Sequence, residues 1–219
     1  MKDKVVVITG GSKGLGKELA KVFIRENSKV IITSRTEREL NDVAKAIGAT
    51  AYVADVTSED QVLKLAQKVV KGFGQIDLWI NNAGIWLPHA SIEKTDWKRV
   101  HQMLEVNLFG TVYGSKAALI NKVKMIVNIL TTSALSGRPY SSGYCASKYA
   151  TLGFTNSLRE EAKDVKVISV FPGGMKTHFF DENKPNDFGD FMDPVSVAEK
   201  IIANLKKESP DEELIIRRK

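Results

Sequence analysis

The stretch that decides the fold is VVVITGGSKGLGKELAKVF, residues 5–23. It opens with a β-branched run, Val5–Thr9, and passes through a turn that holds four glycines in seven residues, Gly10–Gly16. A continuous run of this kind indicates a strand that is covered on both faces. Helical periodicity follows, and it predicts a helix over Lys17–Glu26. The stretch therefore reads as a strand, a glycine-rich turn and a helix.

The same alternation continues almost to the end of the chain. Apolar runs predict strands at Val5–Thr9, Val30–Thr33, Ala51–Ala54, Leu78–Asn81, Met125–Leu130, Val165–Phe171 and Leu214–Ile216. Longer amphipathic patterns predict helices that include Glu37–Ile47, Glu59–Phe73, Trp97–Ile120 and Val195–Lys207. Strand–helix alternation requires a parallel sheet with helical crossovers. We therefore predict an α/β fold, a doubly wound parallel sheet of about seven strands in one domain over residues 1–219.

Composition argues against several classes of protein. The first apolar run is too short for an export signal or a bilayer span. The single cysteine, Cys145, allows neither an internal disulfide nor a cysteine-rich metal site. The net charge of +6 comes from basic residues scattered along helical stretches, without a nucleic-acid-binding motif. We expect a soluble cytoplasmic protein with no metal, no membrane and no nucleic-acid partner.

The glycine-rich turn predicts a phosphate site. Glycines let the backbone approach a pyrophosphate, and the free N–H groups at the following helix N-terminus attract it. The spacing G-x-x-x-G-x-G differs from the dinucleotide fingerprint G-x-G-x-x-G, so a plain turn is the alternative. The position directly after the first strand favours the dinucleotide. The expected contacts in this turn are Gly10, Ser12, Lys13, Gly14, Leu15 and Gly16.

The end of the second predicted strand indicates which dinucleotide binds. In such folds an acidic residue about twenty positions beyond the glycines holds the ribose of NAD, whereas an arginine accommodates the extra phosphate of NADP. Here the position holds Ser34 and Arg35, with no acid, and Lys13 adds a second cation. These residues predict NADP as the cofactor and make NAD less favoured.

A hydroxyl-rich segment, TTSALSGRPYSSGYCASK at residues 131–148, is the candidate reaction site. Tyr144 and Lys148 are four residues apart, and Ser141 or Ser142 could cap a helix that places them on one face. An adjacent ammonium lowers the pKa of a phenol, which makes the pair a plausible proton donor to a carbonyl. Tyr–Lys pairs at this spacing also occur by chance on helix surfaces.

Six motifs together resemble the short-chain dehydrogenase/reductase family. The resemblance implies a Rossmann-type sheet, a nicotinamide cofactor and hydride transfer between a carbonyl and an alcohol. The motifs follow the family's order over nearly the whole chain: Thr9–Gly16, Asp55-Val56, Asn81–Gly84, Asn107, Tyr144-x-x-x-Lys148 and Pro172–Thr177.

The resemblance also implies roles for single residues. Tyr144 would donate and accept the proton, Lys148 would lower the pKa of Tyr144 and hold the nicotinamide ribose, and Asn107 would hold a water. Asp55 could instead cap the next helix, and Asn107 could cap or kink its own. The remaining cofactor contacts that it implies are Asp55 and Val56 at the adenine, Asn82, Ala83 and Gly84 in the cleft, Met175 and Thr177 at the nicotinamide, and Pro172 and Gly173, which could instead form only a turn.

One position departs from the family pattern. The family usually places a serine thirteen residues before the tyrosine, where it hydrogen-bonds the substrate oxygen. This chain has Thr131 there, and Ser133 lies two residues later. Threonine offers the same donor, so we expect Thr131 to polarise the carbonyl and keep Ser133 as the alternative.

Substrate and assembly are less defined by the sequence. The irregular segment His178–Asp193 reads as a mobile substrate loop. A carbonyl or alcohol substrate would meet an apolar pocket, and a homodimer through Trp97–Ile120 and Ser142–Lys163 is favoured over the family's common tetramer, because the chain is short. A non-catalytic NADP(H)-binding redox sensor is the alternative function. The expected pocket residues are Trp86, Leu87, His89, Leu135, Phe179 and Phe180.

Overall fold

Seven parallel strands form one sheet in the computed structural model of the chain, which describes residues 1–218. The sheet order is β3-β2-β1-β4-β5-β6-β7. The strands are β1 Val5–Thr9, β2 Lys29–Thr33, β3 Thr50–Ala51, β4 Leu78–Asn81, β5 Met125–Ile129, β6 Lys166–Pro172 and β7 Glu213–Ile216. The helices are α1 Gly14–Arg25, α2 Glu37–Ile47, α3 Glu59–Phe73, α4 Trp97–Leu104, α5 Gly110–Ile120, α6 Ser142–Glu161 and α7 Pro194–Leu205. The predicted fold class is confirmed.

Helices cover both faces of the sheet. Along β1, Val6 and Ile8 pack into the core shared with α1, α2 and α7, whereas Val5 and Val7 pack into the core shared with α3, α5 and α6. Successive side chains of a strand point to opposite faces. Both sets are therefore apolar, which explains why the strand patterns are continuous rather than alternating.

Three differences from the predicted elements are larger than the shifts of one or two residues at the ends of β2, β5, β6, β7 and α7. Helix α1 begins at Gly14, not Lys17, because the last residues of the glycine turn form its first turn. Strand β3 covers only Thr50–Ala51, although Tyr52 N and Ala54 N still bond the β2 edge at Ile32 O and Ser34 O. The helix predicted over Trp97–Ile120 is interrupted by a π-helical turn, Glu105–Phe109, between α4 and α5.

The order of the strands reverses at β1, which has β2 on one side and β4 on the other. Hydrogen bonds lock the carboxyl ends of β1 and β4 together here. Thr9 Oγ1 accepts from the backbone N–H groups of Asn82 at 3.0 Å and Ala83 at 3.1 Å, and Asn82 Nδ2 donates to Thr9 O at 2.9 Å. In open α/β sheets, a ligand crevice forms at such a switch point.

Two glycines of the turn are required by this packing. Gly10 has a φ of +64°, and a Cβ there would lie 2.9 Å from Ala83 Cα. A Cβ at Gly16 would lie 2.3 Å from Gly10 O, so the missing side chain lets α1 pack on the loop. Gly16 therefore serves the approach of helix to strand and does not line the crevice.

Within residues 1–218, no helix is both long and apolar enough to cross a bilayer. The same residues contain no group of three or more His, Cys, Asp or Glu side chains placed to hold a metal ion.

Candidate active site

A cavity of about 950 Å³ opens at the carboxyl edge of the sheet, over the switch point. The structure brings nearly all of the predicted site residues to its wall; Gly16 and Asn107 are the two that do not line it, and the expected pocket residue Leu87 does not either. The predicted site residues that line it are Gly10, Ser12, Lys13, Gly14, Leu15, Ser34, Arg35, Asp55, Val56, Asn82, Ala83, Gly84, Thr131, Ser133, Tyr144, Lys148, Pro172, Gly173, Met175 and Thr177.

One end of the cavity has the features of a phosphate site. The N-terminus of α1 faces it through Gly14 and Leu15, and no side chain caps this helix. Uncapped N–H groups at a helix N-terminus favour a bound anion. Ser34 Oγ is buried and has no hydrogen-bond partner among the described residues, so a ligand group on this wall could satisfy it. These features fit the phosphates and ribose of a dinucleotide.

The two cations of this end are in different states. Arg35 is exposed at the end of β2, and none of residues 1–218 forms a salt bridge with it. Lys13 Nζ lies 3.1 Å from Glu39 Oε1, and Glu39 lines the cavity as well. The end of β2 itself holds no acid, as the sequence shows, but Glu39 brings a carboxylate to this end of the cavity from α2. The sequence analysis missed Glu39 because it lies in the first turn of α2, beyond the end of β2 where a ribose-binding acid is expected.

Tyr144 meets Thr131 on the opposite wall. Tyr144 lies in the first turn of α6, and the Thr131 side chain is near enough to its phenol to lower the pKa of Tyr144. Thr131 is the last extended residue after β5, and its Oγ1 accepts a hydrogen bond from Ser133 N at 3.3 Å. Accepting this bond leaves the hydroxyl proton of Thr131 available for donation. Ser133 also reaches the cavity wall, from within the short 3₁₀ turn Thr132–Ala134.

Burial acts on both members of the Tyr–Lys pair. It raises the pKa of Tyr144 well above the ordinary phenol value, against smaller lowering effects from Thr131 and from the charge of Arg138. Burial also lowers the pKa of Lys148 to about 8, because its ammonium is removed from water. Lys148 Nζ donates to Ile129 O at 3.1 Å. Desolvation is the largest effect on the phenol pKa in this structure, and the expected stabilisation of the phenolate by Lys148 stays a prediction.

Asn107 lies behind the cavity, at the centre of the π-helical turn. Its Oδ1 accepts from Ile85 N at 2.8 Å, and its Nδ2 donates to Ile85 O at 3.0 Å and to Ser147 Oγ at 3.1 Å. The side chain therefore ties the loop after β4 to α6, and it does not cap its own helix. Its expected role in holding a water stays a prediction.

Two helix caps that the sequence offered as possibilities are not formed. Asp55 Oδ1 accepts from the N–H and hydroxyl of Thr57, whereas Ser58 caps α3. Ser141 occupies the N-cap position of α6, but its side chain makes no capping bond.

The segment His178–Asp193 closes one side of the cavity with aromatic rings. Phe180 is the centre of the cluster, with ring centroids 5.1 Å from Trp86 and 5.2 Å from Phe191, and Phe179 lies 6.2 Å from Tyr144. Ion pairs join this segment to α4 through Arg99 and Glu182 and to the chain after β7 through Arg218 and Asp187.

Sequence reasoning missed three arginines on the wall, Arg138, Arg217 and Arg218. Arg217 and Arg218 directly follow β7, and residues that follow parallel strands lie at the same edge of the sheet. That placement could have identified them. Arg138 lies inside the hydroxyl-rich segment, which was interpreted only through its hydroxyls and the Tyr–Lys pair.

Comparisons with known proteins agree with this geometry. The model of the short chain dehydrogenase family matches residues 4–187. A Staphylococcus saprophyticus protein called an uncharacterized oxidoreductase is 31% identical over 238 residues, which cover 99% of this chain and 96% of that protein.

Solved structures are similar over almost the full length. An alcohol dehydrogenase from the archaeon Thermococcus sibiricus, complexed with 5-hydroxy-NADP, is 25% identical with a TM-score of 0.88 and covers 99% of this chain and 97% of its own. ElxO with NADP bound is 30% identical with a TM-score of 0.85, over 99% of this chain and 97% of its own. The chain therefore belongs to the short-chain dehydrogenase/reductase family of oxidoreductases.

Proposed function

We propose that the protein transfers a hydride between NADP(H) and a carbonyl or alcohol substrate, with Tyr144 as the proton donor and acceptor. The observation that carries this proposal is that Tyr144 and Thr131 line the wall of a cavity whose other end is the uncapped N-terminus of α1. A dinucleotide that spans this cavity would place its phosphates at the helix and its nicotinamide near the phenol.

Thr131, Tyr144 and Lys148 have separate roles in the proposed reaction. When bound, the nicotinamide supplies or accepts the hydride. In the direction of reduction, Thr131 donates a hydrogen bond to the substrate oxygen as its negative charge develops, and Tyr144 transfers its proton to that oxygen. Lys148, one helical turn further along α6, stabilises the phenolate that remains. In the direction of oxidation, the same groups act in reverse.

The preference for NADP over NAD has support at the end of β2. Arg35 is exposed beside the cavity, and Ser34 Oγ is a buried polar atom that lacks a partner within residues 1–218. A ribose phosphate could bond both. Two of the similar solved structures contain NADP or a hydroxylated derivative of it, which agrees with the proposal. Glu39 opposes it in part, because it already neutralises Lys13.

Replacement of Tyr144 by phenylalanine tests the proton donor. We expect Tyr144→Phe to abolish turnover of a panel of aldehydes and ketones while NADPH binds almost as before, since only the ionisable oxygen is lost. Lys148→Ala should weaken both turnover and binding. NADPH oxidation followed by absorbance and NADPH affinity followed by fluorescence give the two readouts. Substantial activity in Tyr144→Phe would show that another group donates the proton, and a wild type that binds NADPH without any turnover would favour the redox-sensor alternative.

Arg35 should set the choice of cofactor. A charge-assisted hydrogen bond to the ribose phosphate contributes about 1.5–3 kcal/mol, or roughly ten- to over a hundred-fold in affinity. We expect the wild type to bind NADPH more tightly than NADH by such a factor and Arg35→Asp to reverse the order. Arg38→Asp is the matched control, because Arg38 is exposed on α2 and does not line the cavity. Equal dissociation constants for NADPH and NADH in the wild type would overturn the assignment.

Thr131 and Ser133 can be ranked by removing one hydroxyl at a time. Thr131→Val keeps the shape of the side chain and should lower kcat by the order of 10²–10³, the usual loss for one oxyanion donor. Thr131→Ser should be tolerated, and Ser133→Ala should cost less than Thr131→Val. The measurement is kcat for one substrate at saturating NADPH. If Ser133→Ala costs more, Ser133 is the polarising residue.

A further inference from the structure

Some of the cationic side chains on the cavity wall form salt bridges with other residues of the chain, and others do not. Lys13 pairs with Glu39, and Arg218 pairs with Asp187 at 2.9 Å. By contrast, Arg35, Arg138 and Arg217 line the cavity without a salt bridge or a side-chain hydrogen bond to any of residues 1–218. Arg35 is explained by the proposed ribose phosphate, which leaves two arginines that the cofactor does not require.

Arg138 belongs to the reactive end of the cavity. It lies between Thr131 and Tyr144 in the chain, on the exposed segment that follows the 3₁₀ turn at Thr132–Ala134. It lines the same cavity as Thr131 and Tyr144, and its positive charge has a small lowering effect on the pKa of the phenol. The uncapped helix N-terminus and Arg35 lie at the other end, where the phosphates are expected.

We infer that Arg138 binds an anionic group of the substrate, so that the preferred substrates are carbonyl compounds, or the matching alcohols, that carry a carboxylate. This inference rests on the proposed function and adds the substrate class to it. Arginine suits this task because its planar guanidinium can form two parallel hydrogen bonds with a carboxylate.

Aromatic side chains beside Tyr144 fit an apolar substrate body. Phe179 stacks edge-on against Tyr144 with ring centroids 6.2 Å apart, and Phe180 and Trp86 extend this apolar surface. A substrate whose ring or alkyl body lies on these side chains could present its carbonyl to Tyr144 and its carboxylate to Arg138.

The test compares two aldehydes that differ only in charge, 4-formylbenzoate and its methyl ester, with NADPH as the reductant. We expect the wild type to prefer the acid by about tenfold in kcat/KM, mainly through KM. Arg138→Gln should remove this preference, and Arg138→Lys should keep part of it. The ratio of acid to ester cancels any general effect of the variant on Tyr144. Arg217→Gln is the matched control, since Arg217 also lines the cavity without an ion pair and should leave the ratio unchanged.

Binding separates this inference from the proposed reaction. Calorimetric titration of the NADP⁺-loaded protein with benzoate and with neutral benzamide should show benzoate binding that Arg138→Gln weakens about tenfold, even if neither aldehyde is reduced. Turnover of both aldehydes without a preference for the acid, or loss of the preference in Arg217→Gln instead, would overturn the assignment while leaving the hydride transfer intact. A tenfold loss of NADPH affinity in Arg138→Gln with an unchanged ratio would assign Arg138 to the cofactor and also overturn it, as would equal binding of benzoate and benzamide.

Discussion

The hydrogen bonds between Thr9 and the residues that follow β4 are the constraint on which the site depends. Strands β1 and β4 are neighbours in the sheet, although three helices and two other strands lie between them in the chain. The Thr9 hydroxyl and the Asn82 amide fix their carboxyl ends relative to each other. The glycine turn follows β1, and the cleft residues Asn82–Gly84 follow β4. The hydrogen bonds between the two strand ends therefore set the width of the crevice. Gly10 and Gly16 are the residues that make the close packing sterically possible.

Burial of the Lys148 ammonium in the active site is unfavourable for folding. Lowering the pKa of Lys148 from 10.5 to about 8 corresponds to about 3 kcal/mol of lost stability while the ammonium is charged. Because the folded-state pKa is below the unfolded value, the unfolded chain binds more protons between about pH 8 and 10.5. The penalty is therefore complete below pH 8 and fades as the pH rises through that window. Functional sites commonly hold such groups, since a desolvated charge acts strongly on its neighbours.

Much of the fold and part of the site follow from the sequence, for identifiable reasons. The β1, α2, α3 and β4 boundaries were predicted as the structure has them, because unbroken β-branched runs and amphipathic periodicity are local signals. The π-helical turn at Asn107 and the pairing of Lys13 with Glu39 arise from contacts between distant elements, which a pattern along the chain does not contain. The raised pKa of Tyr144 was missed because spacing reveals the neighbouring lysine but not the desolvation. The homodimer, the mobile character of His178–Asp193 and the cytoplasmic location stay predictions, since the fold of one chain does not fix them.

The central claim is that Tyr144 exchanges the proton with the substrate once the cofactor is bound. Its most direct test is a titration of the Tyr144 phenol by ultraviolet difference absorbance, comparing wild type with Tyr144→Phe, with and without saturating NADP⁺. The difference between the two titrations isolates Tyr144. Without the cofactor, its pKa should lie above the ordinary phenol value, as burial requires. With NADP⁺ bound, we expect its pKa to fall below that value, toward the pH at which the protein works. A pKa that stays raised in the NADP⁺ complex would contradict the assignment of Tyr144 as the catalytic acid and base.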